Sequence, residues 1–579
     1  MAPSVDTRTD GIYAEGDHAL TLSQTLELIA PAEGPQDELP TSIDVLVVGA
    51  GPVGLTAANL LGSWGVSCLL VEQKFATSDM PKAIAIDDEY MRILDALDLV
   101  NDIRPHISRP FGVHFISPLR FVLAKVPGFI TSNGFGNRNA VLQPVFEKIL
   151  LRGCARFPDI RRHFGASVTA IVQGREQVRV SLQTAAGDRE ISTRYVLGCD
   201  GARSFIRNAL NIPFPGSRID EPHLVLDLAD FPDQADYSRF FCNPRRPVNS
   251  VPAPYGGRRI EFMLHPNDDR EAILTDASIR ELVDRHTPYR GVQLHIIRRA
   301  VYGFSERIAQ RFRDGRVFLL GDAAHVMPPF GGQGMNTGAR DAANLCWKIG
   351  IVLRSGASER LLETYDEERR EHTCAIVKYS VRVGRLANIR SRSLTLVRDI
   401  AFAVANLLPG VRRYFREMRH LPRPFFRRGF LARDAGQNDD GLTGRMLPRV
   451  KLAETNGREL AIDDAVGQGF GLIGFHVERA ALNRAANHPL WRSLRPAILL
   501  VRDRDDAGDT VGPSLHAIDD RGRALVATHR GKILILRPDR YVAGATTPEK
   551  FDKLSDHLEE QFGLKSVQSG PDGLTVNRP

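Results

Sequence analysis

Cysteine is scarce in this 579-residue chain, and what there is stands apart. The six cysteines, at positions 68, 154, 199, 242, 346 and 374, form no C-x-x-C pair. That spacing argues against a zinc ribbon, a redox dithiol or a disulfide framework, and fits a reducing cytoplasm with no structural metal. Cys68, Cys199 and Cys346 sit in apolar runs and read as buried core thiols. A strong excess of one charge is also lacking. The formal net charge is +7 with Lys and Arg scattered, so no patch for nucleic acid is indicated. The longest apolar stretch, 394–411, is broken by Arg398, Asp399 and Pro409, too interrupted for a membrane span. The first forty residues lack the charged-then-apolar pattern of an export signal. They are acidic and polar and read as a mobile N-terminal extension.

What the chain does contain begins at residue 43. Residues 43–73 read IDVLVVGAGPVGLTAANLLGSWGVSCLLVEQ. An apolar run at 45–48 leads into Gly49, Gly51 and Gly54, spaced G-x-G-x-x-G. A helix-forming run follows at 55–64, then a second apolar strand at 66–71 ending on Glu72. Gly49 permits the tight turn, Gly51 lets backbone approach a pyrophosphate, and Gly54 lets the helix pack on the sheet. The helix N-terminus offers N–H groups to phosphate. A carboxylate at Glu72 can hold ribose hydroxyls and would repel a 2′-phosphate. Strand, helix, second strand and acid in this order make a dinucleotide site. The pattern leaves FAD and NAD both open.

Farther along, Lys82 stands just beyond the nucleotide strand, as a phosphate partner or a solvated lysine. A helix is expected at 89–97, a loop-rich region at 105–137, and another helix at 145–156. Gln143 precedes that helix, where its amide can serve a ligand or cap the backbone. Residues 167–196 alternate as a three-stranded meander ending in a buried strand at 195–199. Asp200-Gly201 follows, with Arg203 opening the next helix: a phosphate- or ribose-facing arrangement, or a plain Asp-Gly turn. From 212 to 301 short alternating runs predict a largely antiparallel sheet. A strand at 317–320 then runs into Gly321-Asp322, and a Pro/Gly-rich turn at 328–334 feeds a helix at 335–353. Such a turn holds backbone close to something. Another helix is expected at 357–383. Residues 384–428 read as helical and basic, an inter-domain or solvated surface. From about 434 onward, βαβ-type text indicates an independent α/β domain.

The strand–G-x-G-x-x-G–helix–strand–Glu unit, Asp200-Gly201 and Gly321-Asp322 with its glycine-rich tail, in this order, resemble the FAD-dependent aromatic hydroxylases, the single-component flavoprotein monooxygenases. The likeness runs from Ile43 to the C-terminus. PKAIAIDDE at 81–89, NAVLQP at 139–144 and VRRYFREMR at 411–419 look most like the 3-(3-hydroxyphenyl)propionate hydroxylase branch. Lys82 stands where that branch usually carries Arg, and PFGGQGMN at 329–336 is more similar to the broader phenol hydroxylase type.

The resemblance implies an α/β fold: a Rossmann-like FAD-binding domain of the glutathione-reductase type, an inserted β-rich substrate domain, and a C-terminal thioredoxin-like domain. The implied divisions are extension 1–40, FAD-binding parts 41–211 and 302–383, substrate domain 212–301, helical connector 384–433 and C-terminal domain 434–579. Lacking C-x-x-C, that last domain would be structural, and a homodimer through it stays open. Gly49, Gly51 and Gly54 would face the FAD pyrophosphate and Glu72 the adenosine ribose. Lys82 and Gln143 would lie along the phosphates and ribityl chain. Asp200, Gly201 and Arg203 belong to a motif shared between FAD and nicotinamide binding. Asp322 would hold the ribityl region, Pro329 would flank the reactive face, and Gly334, Met335 and Asn336 would offer backbone N–H groups to the isoalloxazine. Tyr255, Arg259 and Phe262 would form the substrate side, with Arg259 facing a substrate carboxylate; the alternative is ordinary strand packing. No base for the phenol is named.

The implied reaction uses NADH or NADPH and O2. Reduced flavin takes up O2 as a C4a-hydroperoxide, whose distal oxygen goes to an electron-rich phenol. The protein must hold the ring, help it toward phenolate and exclude water. An oxygenase of polyketide substrates, of hydroxylating or Baeyer–Villiger outcome, shares the same motifs. A nucleotide-binding protein without turnover is the remaining rival.

Overall fold

The apolar run at 45–48 becomes the strand Ser42–Val48, in the middle of an eight-stranded sheet. The structure, a computed structural model, describes residues 19–432, 441–503 and 514–563. Cys68–Glu72 and Gly187–Gly198 flank the central strand, both parallel to it. Ile160–Phe164 and Val317–Leu319 extend the parallel array on either side. Val45, Leu46 and Val47 have no solvent exposure, as expected for a strand covered on both faces. The helices Pro52–Ser63 and Gly334–Ser355 pack against each other over this sheet. Glycine makes that approach possible. A Cβ at Gly338 would stand 2.5 Å from the Val53 side chain and 3.0 Å from Gly321 Cα. The meander expected at 167–196 forms as Ser167–Gln173, Val178–Thr184 and Gly187–Gly198.

A second eight-stranded sheet shares a cavity wall with the first. Its order is His325–Val326, His295–Ile308, Gly216–Ala229, Arg258–Met263, Val248–Pro252, Tyr237–Phe241, Gly112–Ile116 and Val122–Val126. It is antiparallel except where Tyr237–Phe241 runs parallel to Gly112–Ile116. The last two strands come from the stretch expected to be loop-rich, and the long strand His295–Ile308 passes the expected limit of 301. The sheet therefore gathers chain from both sides of residues 212–301.

The helix expected at 357–383 runs Arg360–Ala387 and is followed by Arg392–Ala405 and Pro409–Arg416. Among the described residues no single helix is long and apolar enough to cross a membrane. The last two helices pass that test only as a pair, bent by 104°. A third, seven-stranded mixed sheet runs from Lys451–Glu454 to Val542–Thr546. It is tied to the rest by buried ion pairs: Arg92 with Asp463 at 2.7 Å, and Arg537 with Glu368 at 2.8 Å.

The N-terminal extension needs correction in part. Residues 1–18 lie outside the described residues, but the helix Leu22–Ile29 buries Ile29 in the main core. Beyond it, Ala32 N–H donates to Thr77 Oγ1 at 2.9 Å and Arg162 pairs with Asp37 at 3.2 Å. A polar segment can dock when its few apolar and backbone groups find partners, and composition alone does not register that.

Candidate active site

Three parallel strand ends meet at one edge of the first sheet. Cys199 N–H donates to Val48 O at 2.8 Å, and Leu320 N–H to Gly198 O at 3.0 Å. The chain thereby sets Gly49, Asp200 and Gly321-Asp322 side by side, at the strand C-termini where doubly wound sheets bind ligands. Gly49 has φ +105°, and a Cβ there would lie 2.5 Å from Cys199 O. At Gly54 a Cβ would lie 1.9 Å from Gly49 O, so the helix can start this close only as glycine. Gly51, at the N-cap, has open space before it.

These ends open into a cavity of about 980 Å³ that continues to the second sheet. Gly49, Gly51, Glu72, Lys82, Gln143, Asp200, Gly201, Arg203, Asp322, Pro329, Gly334 and Met335 all line it, as does Arg259. Glu72 is half-spent on the turn: Oε2 accepts from Ala50 N–H at 2.9 Å and Oε1 from Lys74 N–H at 3.0 Å. Gln143 is engaged at both ends of its amide, accepting from Ala83 N–H at 2.7 Å and donating to Glu147 Oε1 at 2.8 Å. Its amide fixes the wall segment around Ala83. Burial raises the Glu147 carboxyl to about 6. Asp200 Oδ2 accepts from Ile206 N–H at 3.0 Å, while Oδ1 is buried without a hydrogen-bond partner among the described residues. Burial pushes both Asp200 and Asp322 above the usual carboxylate range. Asp322 is exposed, and the surface it exposes is part of the cavity wall.

Four of the expected site residues stand elsewhere. Gly54 lies behind the turn. Asn336, expected to offer its backbone N–H, does not line the cavity, and its side chain is buried in the wall, accepting from Asp87 N–H at 3.0 Å and donating to Gly332 O at 2.6 Å. Tyr255 occupies a turn with φ +60° and shares a 2.5 Å hydrogen bond with His106 Nδ1, outside the cavity. Phe262 is fully buried against Ile279 and Val283 beneath the second sheet. Arg259 reaches the cavity wall but is paired: Nε donates to Asp227 at 2.7 Å and Nη1 to Lys82 O at 2.8 Å. Residues 259 and 262 are an odd number apart on one strand, so their side chains leave opposite faces. They cannot both face a substrate.

Other residues that shape the site went unread in the sequence. Asp341, inside the helix Gly334–Ser355, accepts from Gly321 N–H at 3.1 Å, His325 Nε2 at 2.7 Å and Arg369 Nε at 2.9 Å. Burial opposes its ionisation, but His325 and Arg369 overcome this and hold the carboxyl below its ordinary range. Arg207 donates to Ala323 O at 2.9 Å and Ala202 O at 3.0 Å, joining two of the strand-end turns. A carboxylate on a long helix packed against the sheet, which must be paired once buried, was the available signal for Asp341.

The donor set suits FAD. Two helix N-termini, at Gly51–Val53 and Gly334–Met335, line one cavity, where phosphate and a ring carbonyl can accept from their free N–H groups. The carboxyl groups of Asp200 and Asp322, both in the cavity lining, are acceptors suited to hydroxyls.

The chain belongs to the FAD-dependent aromatic hydroxylases: an FAD binding domain model matches residues 42–380, more than half of its length. A second model, the HcaD C-terminal domain, matches residues 444–561. The 3-(3-hydroxy-phenyl)propionate/3-hydroxycinnamic acid hydroxylase of Escherichia coli K12 is 35% identical, over 90% of this chain and 95% of that protein. The protein of the same name from Klebsiella pneumoniae strain 342 is also 35% identical, over 91% and 96%. Among solved structures, the flavin-dependent monooxygenase PieE superposes with a TM-score of 0.75 at 20% identity, covering 90% of this chain and 99% of that one. Aklavinone-11 hydroxylase gives 0.72 at 21% identity, over 91% and 100%.

Proposed function

We propose that this enzyme hydroxylates a phenolic acid of the 3-(3-hydroxyphenyl)propionate type, consuming NADH or NADPH and O2. Bound FAD supplies the activation of oxygen. The observation that carries the reading is the single cavity running from the glycine turns to the second sheet, which lets one flavin and one aromatic ring share an enclosed space. The relatives at 35% identity, matched over nearly their whole length, bear the corresponding name.

The chain's own residues would then divide the work. The turn at Gly49–Gly54 seats the pyrophosphate, and Glu72 orders that turn while offering its remaining lone pairs to the adenosine ribose. Asp200, Gly201, Arg203 and Asp322 meet the central hydroxyls and phosphates, with Lys82 at the rim. Pro329 and the backbone of Gly334 and Met335 frame the ring. Phe111, Phe240, Phe402 and Phe415 wall the far end, where apolar surface holds an aromatic substrate and keeps water out. Residues 216–308 fit the role of a substrate-covering insertion. The sheet at 451–546, with three parallel strands and antiparallel edges, fits a thioredoxin-like domain; without a C-x-x-C pair it is assigned a structural role, and a homodimer through it is open to test. A bulkier polycyclic phenol is the second reading and draws on the cavity's size. Phenolic acids and polycyclic phenols assayed side by side, scored for hydroxylated product per NADH or NADPH oxidised, separate the two.

A further inference from the structure

Away from the glycine turns, four guanidinium groups line the cavity: Arg138, Arg259, Arg298 and Arg398. Three of them are spent on carboxylates. Arg259 and Arg298 share Asp227, at 2.7 and 2.8 Å, and Arg398 holds Asp399 at 2.8 Å. Arg138 differs. Among the described residues no carboxylate pairs with it and its inaccessible Nη1 makes no hydrogen bond, while the rest of the half-buried side chain opens on the cavity. Its guanidinium carbon stands 5.6 Å from the centre of the Phe111 ring, an apolar neighbour. The backbone beneath it is fixed, since Arg138 O accepts from Phe111 N–H at 3.0 Å.

Tyr379 and His420 stand close by, their rings 5.9 Å apart, and His420 Nδ1 is likewise buried without a partner. The Tyr379 ring abuts the glycine turn: a Cβ at Gly331 would meet it at 3.2 Å. The unpaired cation therefore lies beside the segment that would frame the flavin ring, within the same cavity. A guanidinium does not shed its proton at neutral pH, and a half-buried charge without a counter-ion is costly. Its planar fork matches a carboxylate in bidentate fashion.

We propose that Arg138 is the anchor for the substrate's carboxylate, so that the cavity selects a phenol bearing an acidic tail. The inference rests on the phenolic-acid reading above and supplies the side chain that Arg259, committed to Asp227, does not.

The test compares 3-(3-hydroxyphenyl)propionate with its neutral amide in FAD-loaded wild type, Arg138→Met and Arg138→Lys. The expected result in Arg138→Met is a fall of about a hundredfold in the kcat/KM ratio of acid over amide. The loss should sit mainly in KM, with part of the preference restored in Arg138→Lys. Equilibrium binding of the acid, read from the change in flavin absorbance, should weaken in parallel. Equal losses for acid and amide, or an unchanged ratio, would overturn the assignment. Should wild type turn over neither compound, the functional reading fails. The binding titration still decides on Arg138, because acid bound equally well by wild type and Arg138→Met would remove it as an anchor.

Discussion

At the residue scale, the chemistry of single positions was legible wherever backbone geometry forces it. Gly49 and Gly54 are glycine because a Cβ would strike a carbonyl oxygen at 2.5 and 1.9 Å. Asp322 follows a buried strand, and it lines the cavity. Replacing Asp322 with Ala is expected to yield colourless protein, measured as flavin absorbance after purification. Normal flavin content would remove Asp322 from the site. The substrate side was less legible. Whether Arg259 or Phe262 points inward depends on strand register, and Arg259 lies directly opposite Asp227 across the sheet. That pairing spans 32 residues of sequence and carries no local signature. Arg138 was missed for a related reason: an arginine stands out only when the carboxylates that might pair with it are all placed.

At the scale of elements, long periodic segments announced themselves and short ones did not. The helices Pro52–Ser63 and Gly334–Ser355 begin within a few residues of where the glycine spacing puts them. The hairpin Gly112–Ile116 with Val122–Val126 reads as loop because each strand is five residues long and its other partner, Tyr237–Phe241, lies more than a hundred residues away. The helix Leu22–Ile29 hides in polar text because only Thr25 and Ile29 are buried. That contact has a measurable consequence. Ile29→Ala removes a buried side chain from the main core and should cost about 2–5 kcal/mol, seen as a lowered Tm. An unchanged Tm would mean the segment is not docked.

At the scale of the whole molecule, two buried carboxylates join the C-terminal sheet to the rest. Glu368, on the long helix Arg360–Ala387, meets Arg537 at 2.8 Å and Lys348 at 2.8 Å. Burial works against its ionisation, but Arg537 and Lys348 outweigh it and carry the pKa down to about 2. Asp463 is likewise carried to about 2 against burial, by Arg92 and Arg540. Both groups ionise more readily in the folded chain than in the unfolded one. Their stabilisation is thus complete above the ordinary carboxylate pKa and is lost as pH falls from about 4 toward 2. Thermal melts across that range should show the midpoint falling with acid. Glu368→Gln, which leaves Arg537 and Lys348 without their buried carboxylate, should lose about 3–5 kcal/mol at neutral pH and show a shallower acid dependence. A variant as stable as wild type would dissolve this account of the domain junction.

In the proposed reaction flavin and phenol share one cavity in which oxygen reaches the ring. The most direct measurement supplies FAD-loaded enzyme with 3-(3-hydroxyphenyl)propionate, a nicotinamide nucleotide and isotopically labelled O2, and reads the product by mass spectrometry. One labelled oxygen atom in a ring hydroxyl, formed in step with nucleotide oxidation, is the predicted result. Nucleotide oxidation that yields only hydrogen peroxide, here and across other phenols, would contradict it.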